Sequence, residues 1–169
     1  MAKSVGVNRR LLKDFKQLIE AQTKNEFHFY IKPEEQENMS NINLFITRLT
    51  PEQDTPIEKQ MATLKIPHLH MEIRVPENYP FSPPFVRFIT PKFAFRTGHI
   101  TIGGSICMEL LTNQGWIATC TLENLLRQII LQIQLGGAVI DETASSTFSY
   151  NLQEAQEAYQ RMKISHGWK

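Results

Sequence analysis

At 169 residues, 41% hydrophobic and 21% charged with a formal net charge of +1, the chain can bury a core of its own and is too apolar to stay disordered. The near-neutral balance disfavours a nucleic-acid partner, whose phosphates call for a basic surface, and no apolar run reaches the roughly 18 residues of a membrane span. Two cysteines, Cys107 and Cys120, are too few for a disulfide framework, and the polar start Met1-Ala2-Lys3-Ser4 does not read as a signal peptide. The expectation is therefore a single domain over residues 1–169, monomeric, with reduced thiols, in the cytoplasm or nucleus.

In chain order, Leu11, Leu12, Phe15, Leu18 and Ile19 recur at helical spacing and predict an amphipathic helix starting near Asn8, with Arg9, Arg10, Lys13 and Lys16 mostly toward solvent. Phe27, Phe29 and Ile31 alternate with His28 and Tyr30, and Ile42, Leu44 and Ile46 alternate similarly. Two half-buried strands follow, joined by an acidic turn over residues 33–40. Residues 50–67, with Pro51, Pro56 and Pro67 among charges, read as a loop. Leu69, Met71, Ile73 and Val75 alternate with His68, His70, Glu72 and Arg74 to predict a third strand, and residues 85–90 a fourth.

Nine of the seventeen Pro and Gly residues lie between positions 76 and 115, and no period is sustained over residues 92–119. A compact domain that keeps so long an irregular stretch uses it for function. Leu122, Leu125, Leu126, Ile129, Ile130 and Ile133 then predict an apolar core helix capped by Thr121. A last helix starts at Asn151, with Glu154 placed to reach back to the cap, and ends at Gly167. Grouped strands and flanking helices give an α+β domain around a four-stranded antiparallel meander.

Residues that could carry chemistry are few. Cys107 follows Gly103-Gly104-Ser105-Ile106, and two readings are open: a small buried hydrophobe, or an exposed nucleophile that the glycines let a partner's backbone approach. Glu109 close by disfavours its thiolate. A protease-like pairing would need His28, His68, His70, His99 or His166 as base, and no signature marks one. Gly103-Gly104-Ser105 lacks the lysine of a phosphate-binding loop. His68 and His70 share one strand face without further ligands at a metal spacing, so they read as solvent-facing, and no metal or organic cofactor is expected. Cys120, heading the core helix, reads as structural.

The segments resemble a family when taken in order. Pro76-Glu77-Asn78-Tyr79-Pro80-Phe81-Ser82-Pro83-Pro84-Phe85-Val86-Arg87-Phe88, then Gly104 three residues before Cys107, then Trp116 nine residues after it, are similar to the signature of ubiquitin-conjugating enzymes. The resemblance covers residues 8–168 and implies the ubiquitin-conjugating fold. Tyr79-Pro80-Phe81-Ser82-Pro83-Pro84-Phe85, Cys107-Met108-Glu109-Leu110-Leu111-Thr112, Gly115-Trp116 and Gly167-Trp168 resemble the Q group most. Members of that group often carry an extra N-terminal domain, so a form made of the catalytic domain alone is expected.

The resemblance implies that Cys107 accepts ubiquitin from an activating enzyme as a thioester and passes it to a substrate amine or hydroxyl, or to a ligase cysteine. Alternatives are a non-catalytic ubiquitin or ligase adaptor on the same fold, or a conjugating enzyme for another ubiquitin-like modifier. Where most of the family has His-Pro-Asn, this chain has Thr97-Gly98-His99. His99 is thus expected to brace the loop or donate to the thioester oxyanion, unless it is a loop residue without a chemical role. The acid that steers an attacking lysine maps near Asp141 or Glu142, a surface loop being the other reading. His166 could reach the active-site side or simply end a polar helix, and Gly104 and Trp116 are expected to support the active-site segment. The activating enzyme is expected on Arg9, Arg10, Lys13 and Lys16, and ligases on Phe81, Ile117 and Ala118, where many relatives have Pro followed by Ala.

Overall fold

The computed structural model describes residues 8–24 and 27–169; the segment Met1-Ala2-Lys3-Ser4 lies outside the described residues. Helix α1, Arg9–Glu20, starts where the Asn8 side chain accepts from the Leu11 amide at 3.0 Å. Strands β1 (His28–Tyr30), β2 (Asn41–Arg48), β3 (Leu69–Arg74) and β4 (Phe85–Thr90) pair antiparallel in sequence order. The alternation read from the sequence sets the register: Ile42 opposes Ile73, Leu44 opposes Met71 and Ile46 opposes Leu69, so all six share one buried face.

Helix α3, Leu122–Leu135, supplies the other half of the core through Leu122, Leu125, Leu126, Ile129, Ile130 and Ile133, and Thr121 caps it by accepting from the Asn124 amide. Truncating any of these six to alanine would cost about 2–5 kcal/mol through lost burial and the cavity left behind. Helix α4, Leu152–His166, is capped by Asn151 accepting from the Gln153 and Glu154 amides and stopped by left-handed Gly167.

One expectation is corrected. Residues 50–67 are not all loop, because Pro56–Thr63 form a helix, α2. Thr55 accepts from the Glu58 amide while Glu58 reaches back to Thr55, a capping box, and Pro56 sits at the first helical positions, where its missing N–H is no loss. Glu58 also gathers the Leu49 and Thr50 amides at 2.7 and 2.9 Å. Burial works to raise its carboxyl, but the donors from Thr55, Thr50 and Leu49 outweigh it and leave Glu58 below the ordinary carboxylate value.

The outer sheet face is less open than its polar alternation predicts. Phe45 stacks on Tyr30 and on His70, with ring centroids 5.0 and 4.4 Å apart, and meets His68 edge-on at 4.8 Å. His68 and His70 are therefore half-buried rather than solvent-facing, and burial leads in pushing the His70 imidazole down to about 4. Beside them Glu72 is buried and paired with Arg87 at 2.5 Å and Arg74 at 3.0 Å.

Candidate active site

The irregular segment after β4 is built on the sheet edge. Ser105 bridges Arg87, the Phe88 amide donates to the Gly104 carbonyl at 2.8 Å, and the Ile106 amide donates to Val86 at 3.1 Å. Ile106 is thereby locked in the core with no exposed surface, and Cys107 emerges directly after it. The Cys107 amide donates to the His99 carbonyl at 2.7 Å, closing the loop between them. A Cβ on Gly104, whose φ is +91°, would meet the Tyr150 ring at 2.6 Å, and one on Gly103 would meet the α4 backbone carbonyl of Glu154 at 2.5 Å. These glycines admit the chain's own Tyr150 and α4, where a partner's close approach was expected.

Helix α4 crosses over this segment. The Tyr159 hydroxyl donates to the Leu111 carbonyl, the Tyr159 ring meets Phe85 edge-on at 5.6 Å, and the far end of the helix brings His166 Nε2 to 3.7 Å from Cys107 Sγ. Trp168 stacks on His166 at 4.4 Å with 15° between the planes, which fixes the imidazole in place. Cys107 is half-buried, and burial pushes its thiol up, so burial rather than Glu109 disfavours the thiolate. Cys107, His99 and His166 line one groove of about 590 Å³ together with Phe95, Arg96, Ile102, Arg161 and Met162.

His99 holds a left-handed backbone with φ +54°, and its ring lies against Gly136 at the end of α3, where a Cβ would stand 2.5 Å from Cδ2. Asp141 and Glu142 do not line the Cys107 groove. Asp141 accepts from the Thr143 hydroxyl and amide, and Glu142 accepts from Gln60 Nε2 at 3.0 Å. Both face a separate cleft beside Lys65 and Lys92. Among the described residues no three His, Cys, Asp or Glu side chains gather as a metal site, and no helix is long and apolar enough to cross a membrane.

None of the residues expected to meet partners lines the Cys107 groove. Phe81 and Ile117 are exposed, as are Arg9, Lys13 and Lys16, but Arg10 turns inward. Its guanidinium donates to Asp14 at 2.8 Å and to the carbonyls of Ala118 and Cys120 at 2.8 and 3.0 Å. Asp14 also accepts from the Tyr79 hydroxyl at 2.5 Å, and Trp116 Nε1 donates to the Pro80 carbonyl at 2.6 Å, so Trp116 pins the proline turn rather than lying under Cys107. Asp14 was missed as a structural residue. The signal was its place three residues after Leu11 in the stripe Leu11, Asp14, Phe15, Leu18, where an acid demands a buried partner.

With this geometry in hand, comparison with known proteins is specific. The family model described as ubiquitin-conjugating enzyme matches residues 10–165. A Drosophila melanogaster protein described as like the Q type of ubiquitin-conjugating enzyme E2 is 30% identical over 95% of this chain, which spans 52% of that relative's length. A human protein with the same Q-like description is 31% identical, with 69% of this chain and 74% of that one aligned. A crystal structure of a Plasmodium falciparum ubiquitin-conjugating enzyme E2 superposes with a TM-score of 0.56 at 18% identity, covering 79% of this chain and 93% of that one, which speaks to the fold alone. By its sequence and its four-stranded meander with flanking helices, this chain belongs to the ubiquitin-conjugating enzyme family, in its Q group.

Proposed function

We propose that this chain accepts ubiquitin from an activating enzyme as a thioester on Cys107 and transfers it onward. The observation that carries the reading is a thiol at the rim of a groove large enough for an extended peptide tail, with an imidazole nitrogen 3.7 Å from the sulfur. Cys107 Sγ attacks the thioester carbonyl on the activating enzyme, the thiol proton passes to His166 Nε2, and the activating enzyme's sulfur leaves. In the second step a substrate amine or hydroxyl, or a ligase thiol, attacks the new thioester and Cys107 departs. No metal or organic cofactor enters either step. The thioester is already activated, so the chain contributes position and proton handling.

His99 acts in this scheme as a brace: its carbonyl holds the Cys107 amide and its ring seats the loop on Gly136. His99→Ala slows single-turnover discharge to an amine more than it slows charging, and His99→Asn, which tolerates the same left-handed backbone, restores discharge. The exposed Arg9, Lys13 and Lys16 on α1 would receive the activating enzyme, and Phe81 with Ile117 would receive a ligase.

The test is incubation with activating enzyme, ATP and a panel of ubiquitin-like modifiers, read on non-reducing gels. A thiol-sensitive adduct with ubiquitin that is missing in Cys107→Ser supports the reading. An adduct only with another modifier reassigns the donor, and no adduct with any of them makes the chain an adaptor.

A further inference from the structure

The groove beside Cys107 has one sign of charge. Among the residues lining it, Arg96 and Arg161 carry positive charge, and none is Asp or Glu. Arg96 and Arg161 are both exposed, and neither takes part in the ion pairs formed among the described residues. Arg96 is held in place: its backbone is left-handed with φ +60°, and its guanidinium sits 5.2 Å from the Phe95 ring centroid. Arg161 projects from α4 on the wall that also carries Met162 and His166. Glu157, four residues before Arg161 on α4, accepts from Gln153 Nε2 at 3.0 Å and forms no ion pair with Arg161, while Asp141 and Glu142 face the separate cleft.

Two arginines without carboxylate partners, one from the segment after β4 and one from α4, line a single groove with the exposed apolar Phe95 and Ile102, an arrangement complementary to an extended peptide carrying acidic side chains. We propose that Arg96 and Arg161 are specificity-determining residues that select acceptor segments bearing Asp or Glu next to the residue to be modified. This rests on the reading of Cys107 as the thioester cysteine. The carboxylates pair with the guanidinium groups, the acceptor group is delivered to the Cys107 thioester, and a lysine-rich segment is repelled.

The experiment uses the charged protein, purified from activating enzyme and ATP, and chases it with peptides that share one acceptor residue and differ only in flanking Asp/Glu, Asn/Gln or Lys. The readout is the ratio of acidic to amide discharge rates within each variant, so a general loss of activity cancels. The wild-type ratio is expected at about fivefold to tenfold, the size of two exposed charge pairs. It falls toward one in Arg96→Gln/Arg161→Gln and with rising salt, and Arg96→Glu/Arg161→Glu inverts it toward the Lys-flanked peptide. Equal rates on acidic and amide peptides, or a preference that survives in the Gln double variant, overturn the proposal. A phosphoserine-flanked peptide used in place of an unused Asp/Glu one also overturns the carboxylate assignment. Should the chain fail to charge at all, the Cys107 reading fails by itself. Fluorescence anisotropy of the same labelled peptides on Cys107→Ser protein then decides the groove, with equal binding of acidic and amide peptides overturning it.

Discussion

The two cysteines stand in regions that look alike by exposure and differ in what surrounds them. Cys107 and Cys120 are both half-buried, and burial leads in pushing both thiols up. Around Cys120 the neighbours are bonded to one another: its carbonyl accepts from Arg10, its thiol donates to the Thr121 carbonyl at 3.6 Å, and Asp14 accepts from both Arg10 and the Tyr79 hydroxyl. Cys107 opens on a groove, and its side-chain partner is the exposed His166 imidazole, with Nε2 3.7 Å from the sulfur. Neither acidity nor exposure distinguishes the two thiols; what differs is how far their neighbours are bonded to one another.

The largest effect that could break this contrast is on covalent loading. Cys107→Ser should abolish the thiol-sensitive ubiquitin adduct, while Cys120→Ser should keep it; loss of the adduct in Cys120→Ser would erase the distinction. Next comes reactivity against pH. With the thiol raised by burial, the thiolate fraction at neutral pH is small and grows with pH, so iodoacetamide labelling of Cys107 should climb about tenfold per pH unit between pH 7 and 9. Labelling of Cys120, followed by peptide mass spectrometry, should stay slower throughout. A plateau for Cys107 below pH 8 would mean an acidified thiol instead.

Smaller, and on the Cys120 side, Tyr79→Phe removes the hydroxyl that donates to buried Asp14 and should cost about 1.5–3 kcal/mol in urea unfolding. The same change should leave the Cys107 labelling rate untouched if the two regions are independent. The smallest effect lies on the outer sheet, remote from both thiols. His70 titrates near 4 when folded, against about 6.5 when unfolded, so the folded state binds fewer protons between these values. Stability should therefore fall as pH drops from 6.5 to 4, by on the order of 1 kcal/mol at this solvent-screened, half-buried position. His70→Gln should flatten that slope in chemical denaturation.

Much of the frame was legible in the chain. The three alternating strands, the more apolar fourth, α1, α3 with its Thr121 cap and α4 between Asn151 and Gly167 follow from apolar patterning and caps, because burial on one face forces a repeat of two or of 3.6. Helix α2 was legible in principle, since Thr55-Pro56-Ile57-Glu58 is a capping box with proline where a helix tolerates it, but proline among charges reads first as a loop. The half-burial of His68 and His70 was not legible, because Phe45 arrives from a neighbouring strand and local alternation says nothing about what stands across a sheet.

The sequence by itself determined the family, the α+β meander and the nucleophile candidate Cys107, all of which depend on residues near one another along the chain. Only the tertiary structure decided which of five histidines meets that cysteine, 59 positions away along the chain, and that Asp141 and Glu142 face elsewhere. It also decided that Arg10 ties α1 to the segment ahead of α3 rather than facing solvent. The physical reason is common to all three. Side-chain meetings between distant segments are set by how helices cross a packed core, and α4 is aimed at Cys107 by Tyr159 on Leu111 and by Gly103, which lets it lie close, neither of which leaves a period in the sequence.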